Sequence, residues 1–140
     1  MTDCVLLDTG PMVAIFSKDD AYHERCVSAL ASLPAPLPTC WPVVVEAAWL
    51  LRTRPASLHQ MIDGFKKGLF ALLSLDADDL VAVAEIMRRY QDAGLQLADA
   101  ALVHLAEREG VRTVFTTDRR DFSIVRLKHK RRLTLIPDNQ

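Results

Sequence analysis

The sequence predicts an α/β fold in which helices cover a mostly parallel sheet of about five strands. Short apolar runs alternate with segments of helical periodicity along the whole chain, which is the pattern of strands joined by helical crossovers. The chain has 140 residues, within the usual range of about 100–200 for one domain, so a single domain over residues 1–140 is expected. Hydrophobic residues make up 50% and charged residues 25%, which is typical of a folded chain rather than a disordered one.

Two strands and three helices are predicted in the first half of the chain. The strands are 4–7 and 37–41, and the helices are one that opens at Thr9-Gly10-Pro11, 21–33 and 42–51. The proline cluster at 34–38 ends the second helix because proline lacks a backbone N–H, whereas Pro42 suits a first helical turn. Eight of the nine residues from Val43 to Leu51 are apolar, so we expect the third helix to be buried on nearly all sides. We expect Pro55 to end it.

Three more helices and three more strands follow. The helices are 57–68, 76–94 and 95–109, and the strands are 69–73, 111–117 and 133–136. Ser57 with Gln60, and Asp76 with Asp79, are typical pairs at helix starts. The glycines that follow the three helices are typical of helix ends.

Charge and cysteine content narrow the functional classes. With 17 basic and 18 acidic residues the net charge is −1, so any binding of nucleic acid must be local. Cys4, Cys26 and Cys40 lie among apolar neighbours and are odd in number, which favours reduced core thiols over a zinc site or disulfides. The longest clean apolar runs, such as 47–51, are far shorter than the ~20 residues of a membrane helix. The N-terminus lacks the features of a secretory signal, so we expect a cytoplasmic protein without a membrane segment.

Two acidic residues stand where the helical pattern predicts burial. Glu46 is the only charge in the apolar helix 42–51, and Asp99 lies on the apolar stripe of the helix 95–109. An ionised carboxylate buried there without a partner would be costly. The alternatives are that Glu46 faces solvent or pairs with Arg52, and that Asp99 is a helix cap near the positive end of the helix dipole.

Two further acids, Asp8 and Asp118, each directly follow an apolar strand. The carboxyl ends of parallel strands meet at the edge of the sheet where α/β proteins bind ligands. Either residue alone is also compatible with a turn or a helix cap.

One site would account for all four acids. The segments that carry them hold no equally buried Lys or Arg, so carboxylates gathered there would repel each other and require a cation. Oxygen ligands without His or Cys suit Mg²⁺ or Mn²⁺. Such a site activates water for in-line displacement at phosphorus, so the predicted reaction is phosphodiester hydrolysis.

Four segments that span essentially the whole chain have a familiar order. They are LLDTGP at 6–11, Glu46 in its helix, LADAAL at 97–102 and TTDRRDF at 116–122. This ordered set resembles the PIN-domain family, in particular its VapC-type toxin ribonucleases. The resemblance implies a three-layer α/β/α fold, endoribonuclease activity with Mg²⁺ or Mn²⁺, frequent homodimers, and inhibition by a VapB-like antitoxin.

The resemblance also assigns site residues. The family's first three acids fall on Asp8, Glu46 and Asp99, and its hydroxyl neighbours fall on Thr9 and Thr116. The fourth acid falls on Asp118 or on Asp121, because many relatives carry Asn at the first position and an acid at the second. We favour Asp118 and treat Asp121 as secondary.

The four acids are expected to bind the metal and to act in catalysis. We hypothesise that Asp8 and Asp99 are the main metal ligands. Glu46 would hold the metal through a water or help to deprotonate the attacking water, and Asp118 would complete the cluster.

Basic residues near the C-terminus are the candidates for holding RNA. Arg119 and Arg120 adjoin Asp118, and Arg126 and Lys128 belong to a basic run that extends to position 132. Phosphate contacts of this kind give affinity without sequence choice. The alternative is a solvated surface or an edge that faces the antitoxin.

A loosely apolar stretch includes Trp41, Trp49 and the segment 65–70. Such residues are usually core, which is the prediction here. The alternative is an interface with a second copy or with the antitoxin.

Three other functions stay open. A phosphatase with Asp8 as nucleophile is disfavoured, because the second acid that it needs two residues later is Gly10. A non-catalytic PIN-like module that binds RNA or protein would be marked by a broken acidic set. A PIN nuclease that processes RNA, rather than a toxin, is compatible with every residue named above.

Overall fold

Five strands and seven helices alternate in the computed structural model, which describes residues 4–127 and 131–137. The strands are β1 (Val5–Leu7), β2 (Leu37–Thr39), β3 (Phe70–Leu72), β4 (Thr113–Phe115) and β5 (Thr134–Ile136). The helices are α1 (Thr9–Phe16), α2 (His23–Ala31), α3 (Trp41–Leu50), α4 (Pro55–Lys66), α5 (Ala77–Arg89), α6 (Leu97–Glu109) and α7 (Arg119–Ser123), with a 3₁₀ turn at Gln91–Ala93. No helix within these two ranges is long and apolar enough to cross a membrane.

The strands pair in parallel, which confirms the predicted α/β class. β4 lies between β1 and β5, and β2 pairs with β3. The single sheet that the sequence predicts is divided, because in the described residues β1 and β2 lie side by side without a backbone ladder between them. A side chain makes the connection instead, since the Thr39 hydroxyl donates to the Leu7 carbonyl oxygen at 2.8 Å.

The core lies on both faces of β1 and β4. Leu6, Leu7, Val114 and Phe115 are all fully buried. Successive residues of a strand point to opposite faces, so helices must cover this sheet on both sides. Leu102 of α6, also fully buried, belongs to this cover.

The expectation that α3 is buried on nearly all sides is wrong. Ala47 is fully buried, but Trp41, Val45 and Trp49 are 61%, 62% and 61% exposed. The helix packs against α1 and α6 along one face, and its apolar outer face stays open in the described chain. The assignment of the two tryptophans to the core is therefore also wrong, whereas Phe70 is core as predicted.

Several element boundaries differ from the sequence prediction, and one short helix is absent from it. Pro55, expected to end a helix, lies in the first turn of α4, where its missing N–H costs nothing. The helix expected to run to Gly94 ends at Arg89, and the 3₁₀ turn leads to Gly94 at φ 73°. The five-residue helix α7 is absent from the prediction, because one turn is too short to show helical periodicity.

Gly64 sets the distance between α4 and β3. A Cβ atom at this position would lie 2.7 Å from the ring of Phe70. That ring is fixed by Phe16 and Phe65, whose ring centroids lie 5.9 and 5.4 Å from its own. The helix can approach the strand only because residue 64 has no side chain.

We predict that Gly64→Ala lowers the free energy of unfolding by about 1–3 kcal/mol, because the added methyl overpacks a fixed ring. Alanine normally stabilises a helix relative to glycine, so the expected sign is opposite to the usual one. Urea unfolding followed by circular dichroism measures the change. Gln60→Ala, at an exposed position of the same helix, is the control and should stay within about 0.5 kcal/mol. A Gly64→Ala protein as stable as the parent would contradict the close approach.

Candidate active site

Five acidic side chains line one cavity of about 290 Å³ at the carboxyl ends of β1 and β4. They are the five acids that the sequence singles out, namely Asp8, Glu46, Asp99, Asp118 and Asp121. Among the described residues that line the cavity there is no Lys, Arg or His. The cavity therefore gathers negative charge without a neutralising side chain in its described wall.

Asp8 occupies the most buried position of the five. It follows β1 directly, stands at the N-cap position of α1 and is only 4% exposed. Its carboxylate accepts a hydrogen bond of 2.7 Å from the Thr116 hydroxyl. Burial nevertheless raises the pKa of Asp8 to about 7, against the lowering effect of the hydrogen bonds from Thr116 and the Thr9 backbone, and the charges of Asp99 and Glu46 add to the rise.

Asp99 enters the cavity from the first turn of α6. Its carboxylate accepts the backbone N–H of Gln96 at 3.3 Å, so it also caps the helix. Asp99 is therefore both the helix cap named above as an alternative and a residue of the cavity wall. Burial raises the pKa of Asp99 to about 6 despite the Gln96 bond, and the charges of Asp121, Asp118 and Glu46 contribute to the rise.

Glu46 is half-buried on α3 and reaches the same cavity. Glu46 forms no ion pair with Arg52. The Arg52 guanidinium lies 3.7 Å from the centroid of the Trp49 ring and donates to the Trp49 carbonyl oxygen at 2.8 Å. Among the described residues no basic side chain forms an ion pair with Glu46.

Asp118 and Asp121 approach the cavity from the start of α7. Asp118 is exposed, and its side chain accepts the Asp121 backbone N–H at 3.3 Å as the cap of α7. Burial and the neighbouring Asp118 raise the pKa of Asp121, and Arg120 partly offsets the rise. Both acids line the cavity, so the geometry keeps both as fourth-acid candidates.

The two hydroxyl neighbours differ in their contacts. The Thr116 hydroxyl donates to Asp8 and accepts the Asp118 backbone N–H at 2.9 Å, so it links two of the acids. The Thr9 hydroxyl is buried and has no hydrogen-bond partner among the described residues. Thr116 is therefore a positioning residue, and Thr9 contributes the backbone N–H that bonds Asp8.

The donor set fits a hard divalent cation that keeps several of its waters. Within the described residues, no three acidic, His or Cys side chains stand close enough to hold a metal ion directly. Mg²⁺ binds through one or two carboxylates and retains waters, so a looser group of acids suits it. Burial first and the neighbouring carboxylates second raise the pKa values of Asp8 and Asp99, and a bound cation would favour the ionised form of both.

Sequence reasoning missed four residues of the cavity wall, which are Gly10, Leu50, Gln96 and Thr117. A Cβ atom on Gly10 would lie 2.2 Å from the Thr117 hydroxyl oxygen, so the glycine lets α1 start against the strand end. Gln96 stands three residues before Asp99 at the helix start. That spacing is typical of a capping pair and could have identified Gln96 from the sequence. Nothing local marks Thr117, because its contact with Gly10 joins distant parts of the chain.

Three of the four predicted RNA-binding residues fall in the described chain. Arg119 donates to two backbone carbonyl oxygens in and just after β5, at 3.3 and 2.8 Å, so it ties α7 to that strand. Arg126 donates to two carbonyl oxygens just before it in the chain, both at 3.1 Å. Arg120 is exposed beside Asp121. Lys128 lies outside the described residues.

Comparison with known proteins identifies relatives of this chain. A family model described as PIN domain matches residues 5–128. The chain is 31% identical over 135 residues to a protein named Ribonuclease VapC26 from Mycobacterium tuberculosis, and the match covers 95% of this chain and 100% of that protein. The crystal structure of M. tuberculosis VapC20, titled a Sarcin-Ricin loop cleaving toxin, superposes with a TM-score of 0.73 at 18% identity, covering 83% of this chain and 91% of that one. The structural likeness shows a shared fold.

The buried acid predicts an unusual pH dependence of stability in the absence of metal. A carboxyl whose pKa rises on folding binds its proton more tightly in the folded state, so stability falls as pH rises through the folded pKa. For Asp8 the pKa moves from 3.8 to about 7. With chelator present, we predict that the free energy of unfolding falls between pH 5 and pH 8, and that Asp8→Asn removes about 2–3 kcal/mol of that fall.

Urea titrations at the two pH values measure this effect. Asp92→Asn, at an exposed position in the 3₁₀ turn, is the control and should follow the parent at both pH values. An Asp8→Asn protein that loses as much stability as the parent between pH 5 and pH 8 would show that Asp8 is not protonated in the folded state near neutrality.

Proposed function

This chain belongs to the PIN-domain family, and from that membership and its acidic cavity we propose that it is a divalent-metal-dependent endoribonuclease of the VapC type, the toxin of a toxin-antitoxin pair. The observation that carries the proposal is the convergence of five carboxylates on one cavity. The name of the 31% identical relative supports RNA as the substrate.

The catalytic and metal-binding set that we propose is Asp8, Glu46, Asp99 and Asp118, with Asp121 secondary. Asp8 and Asp99 would hold Mg²⁺ or Mn²⁺, and Asp118 would complete the cluster. When bound, such a cation activates water and stabilises the charge that develops on the phosphoryl oxygens. Glu46 would accept the proton of the attacking water or hold the cation through a water.

The surroundings of these acids set their orientation and their ionisation. Thr116 fixes the rotamer of Asp8 through its hydroxyl and fixes the start of α7 through the Asp118 backbone. Asp8 and Asp99 must both lose their protons to bind a cation, and their raised pKa values make that loss depend on pH near neutrality. Cation binding should therefore weaken as the pH falls below about 7.

The partners follow from the same family membership. RNA would be held through phosphate contacts by Arg120, with Arg119, Arg126 and Lys128 as further candidates. A VapB-like antitoxin would inhibit the enzyme, and the family resemblance favours a homodimer. We expect the protein to act on RNA in the cytoplasm.

A PIN nuclease of RNA processing is the second candidate, because the same complete acidic set would serve it. A non-catalytic PIN-like module has less support, since all five acids reach the cavity. The presence of a small DNA-binding antitoxin in the adjacent reading frame would separate a toxin from a processing enzyme.

We predict that Asp99→Asn abolishes metal-dependent cleavage of RNA and leaves the fold intact, because it removes one of several mutually repelling charges. The loss should exceed the roughly 100-fold that removing a supporting partner of a metal ligand costs. Purified protein is incubated with total cellular RNA and Mg²⁺ or Mn²⁺, with chelator as a blank, and new RNA ends are mapped by sequencing. Asp92→Asn, remote and exposed, is the matched control. Full activity of Asp99→Asn would exclude the assigned site.

The fourth acid can be identified by a pair of variants. We predict that Asp118→Asn reduces cleavage more than Asp121→Asn, because Asp118 is exposed in the cavity and lies nearer to the end of β4 in the chain. Asparagine still accepts the Asp121 N–H, so the cap of α7 is kept in the first variant. Rates of cleavage of one mapped RNA measure both effects. The reverse ranking would assign the role to Asp121.

A further inference from the structure

The basic residues of this chain are concentrated in one short segment near its C-terminus. Residues 126–132, called the basic segment below, hold five of the 17 Lys and Arg side chains and no acid. The other 133 residues hold 12 basic and 18 acidic side chains, a net charge of −6. Most of the chain therefore repels a nucleic acid, and the basic segment is where attraction can arise.

Backbone contacts hold the described part of the basic segment together. Arg126 and Arg132 form an antiparallel bridge, and the Leu127 N–H donates to the Arg131 carbonyl oxygen at 2.7 Å. The Leu127 side chain is only 8% exposed and belongs to the hydrophobic core, so it anchors the segment to the body of the protein. Positions 128–130 lie outside the described residues.

Further contacts attach the segment to the elements that carry the acidic cavity. The Tyr90 hydroxyl, at the end of α5, accepts the Arg126 N–H at 3.0 Å. Arg119, at the start of α7, donates to the Leu135 carbonyl oxygen in β5, and β5 begins two residues after Arg132. The segment is therefore fixed between α5 and β5, next to the helix that brings acids to the cavity from its first turn.

Arg131 and Arg132, called the arginine pair below, carry uncompensated charge. Both are exposed, and neither forms an ion pair with an acidic side chain of the described chain. Arg126 beside them donates to the carbonyl oxygens of Ser123 and Val125, so its charge also lacks an acidic partner in the described residues. A guanidinium binds phosphate through two parallel hydrogen bonds, which makes such arginines suited to a phosphate backbone.

We propose that the arginine pair, with Arg126, is a second phosphate-binding surface, which holds an RNA strand a few nucleotides away from the scissile bond and supplies most of its affinity. The inference rests on the proposed ribonuclease function. The acidic cavity would handle the scissile phosphodiester, whereas this surface would hold the strand that continues beyond it.

The chain limits how far apart the two surfaces can stand. Arg126 follows Asp121 by five residues, which span at most about 18 Å when fully extended. This distance corresponds to about five stacked nucleotides at about 3.4 Å each. One RNA strand can therefore reach both the cavity and the arginine pair.

Two features favour RNA over an acidic protein as the occupant. The substrate of the proposed enzyme must lie in the nearby cavity, so its phosphates pass within reach of the arginine pair. The described residues of the basic segment expose no large apolar side chain, whereas protein interfaces depend on buried apolar anchors. An acidic peptide is the competing occupant, and the experiments below test for it.

Binding of labelled RNA by anisotropy is the direct test. The Asp99→Asn protein with Mg²⁺ is titrated with a random-sequence single-stranded RNA of twelve nucleotides at several salt concentrations. Arg131→Ala combined with Arg132→Ala should weaken binding by at least about tenfold at low salt. The double variant should also reduce the slope of log affinity against log salt by about 1.4, because each phosphate contact of a single strand contributes about 0.7.

Lys66→Ala combined with Lys67→Ala is the matched control, because it removes the same two charges from exposed positions at the end of α4. Its affinity should stay within about twofold of the parent, since salt screens charges that do not touch the strand. An equal loss in the two double variants would show that only net charge matters and would overturn the surface. Unchanged binding by the arginine variant would overturn it as well.

The length of the RNA tests whether the surface is separate from the cavity. Strands of three, six, nine and twelve nucleotides are compared under the same conditions. The affinity of the parent should rise steeply until the strand spans both surfaces, and the arginine variant should lose most of that rise. An equal loss of affinity at every length would place the arginines at the scissile phosphate and overturn a separate surface.

Cleavage and competition separate the remaining outcomes. With Asp99 intact, the arginine variant should raise KM for the mapped RNA by at least about fivefold. An unaltered KM and affinity would remove the surface and leave the nuclease in place. RNA binding that depends on the arginine pair, without any cleavage by the parent, would support the surface and remove the proposed activity. A peptide of ten glutamates that displaces labelled RNA as well as unlabelled RNA does would assign the surface to an acidic protein and overturn the proposal.

Discussion

The hydrogen bond from Thr116 to Asp8 is the contact on which the geometry of the acidic site depends. The parallel register pairs Leu7 with Phe115, so residues 8 and 116 leave the sheet side by side at the same edge. The Thr116 hydroxyl then bonds the Asp8 carboxylate at 2.7 Å and receives the Asp118 N–H at 2.9 Å. One buried hydroxyl thereby fixes acids that are 110 positions apart in the sequence. The rest of the cluster is brought up to this pair by helices that pack on the same core.

The site conflicts with the stability of the metal-free fold. Asp8 is almost entirely buried, and its pKa near 7 means that the folded protein resists its ionisation. A protein selected for stability alone would have a neutral residue at the end of β1. A bound cation would compensate this charge, and functional sites tend to contain residues that weaken a fold.

Much of the site was accessible from sequence because its signals are local. Asp8 and Asp118 follow apolar strands, and Asp99 lies on an apolar helical stripe, so each is marked by its immediate neighbours. The chain carries no local signal for the contact of Gly10 with Thr117, because only the fold brings them together. The connection between the two parts of the sheet depends in the same way on one long-range bond, from the Thr39 hydroxyl to the Leu7 carbonyl oxygen. The exposed face of α3 was misjudged because an all-apolar helix predicts burial without saying which face the core covers.

That exposed face bears on how such an enzyme would choose its RNA. Carboxylates and a cation act on the phosphodiester, which is the same at every position of an RNA, so the chemistry alone cannot select a sequence or a loop. Selection must come from surfaces that touch the bases. α3 carries an acid of the site and an exposed apolar face together, since Glu46 reaches the acidic cavity while Trp49, three residues later, lines the neighbouring apolar one.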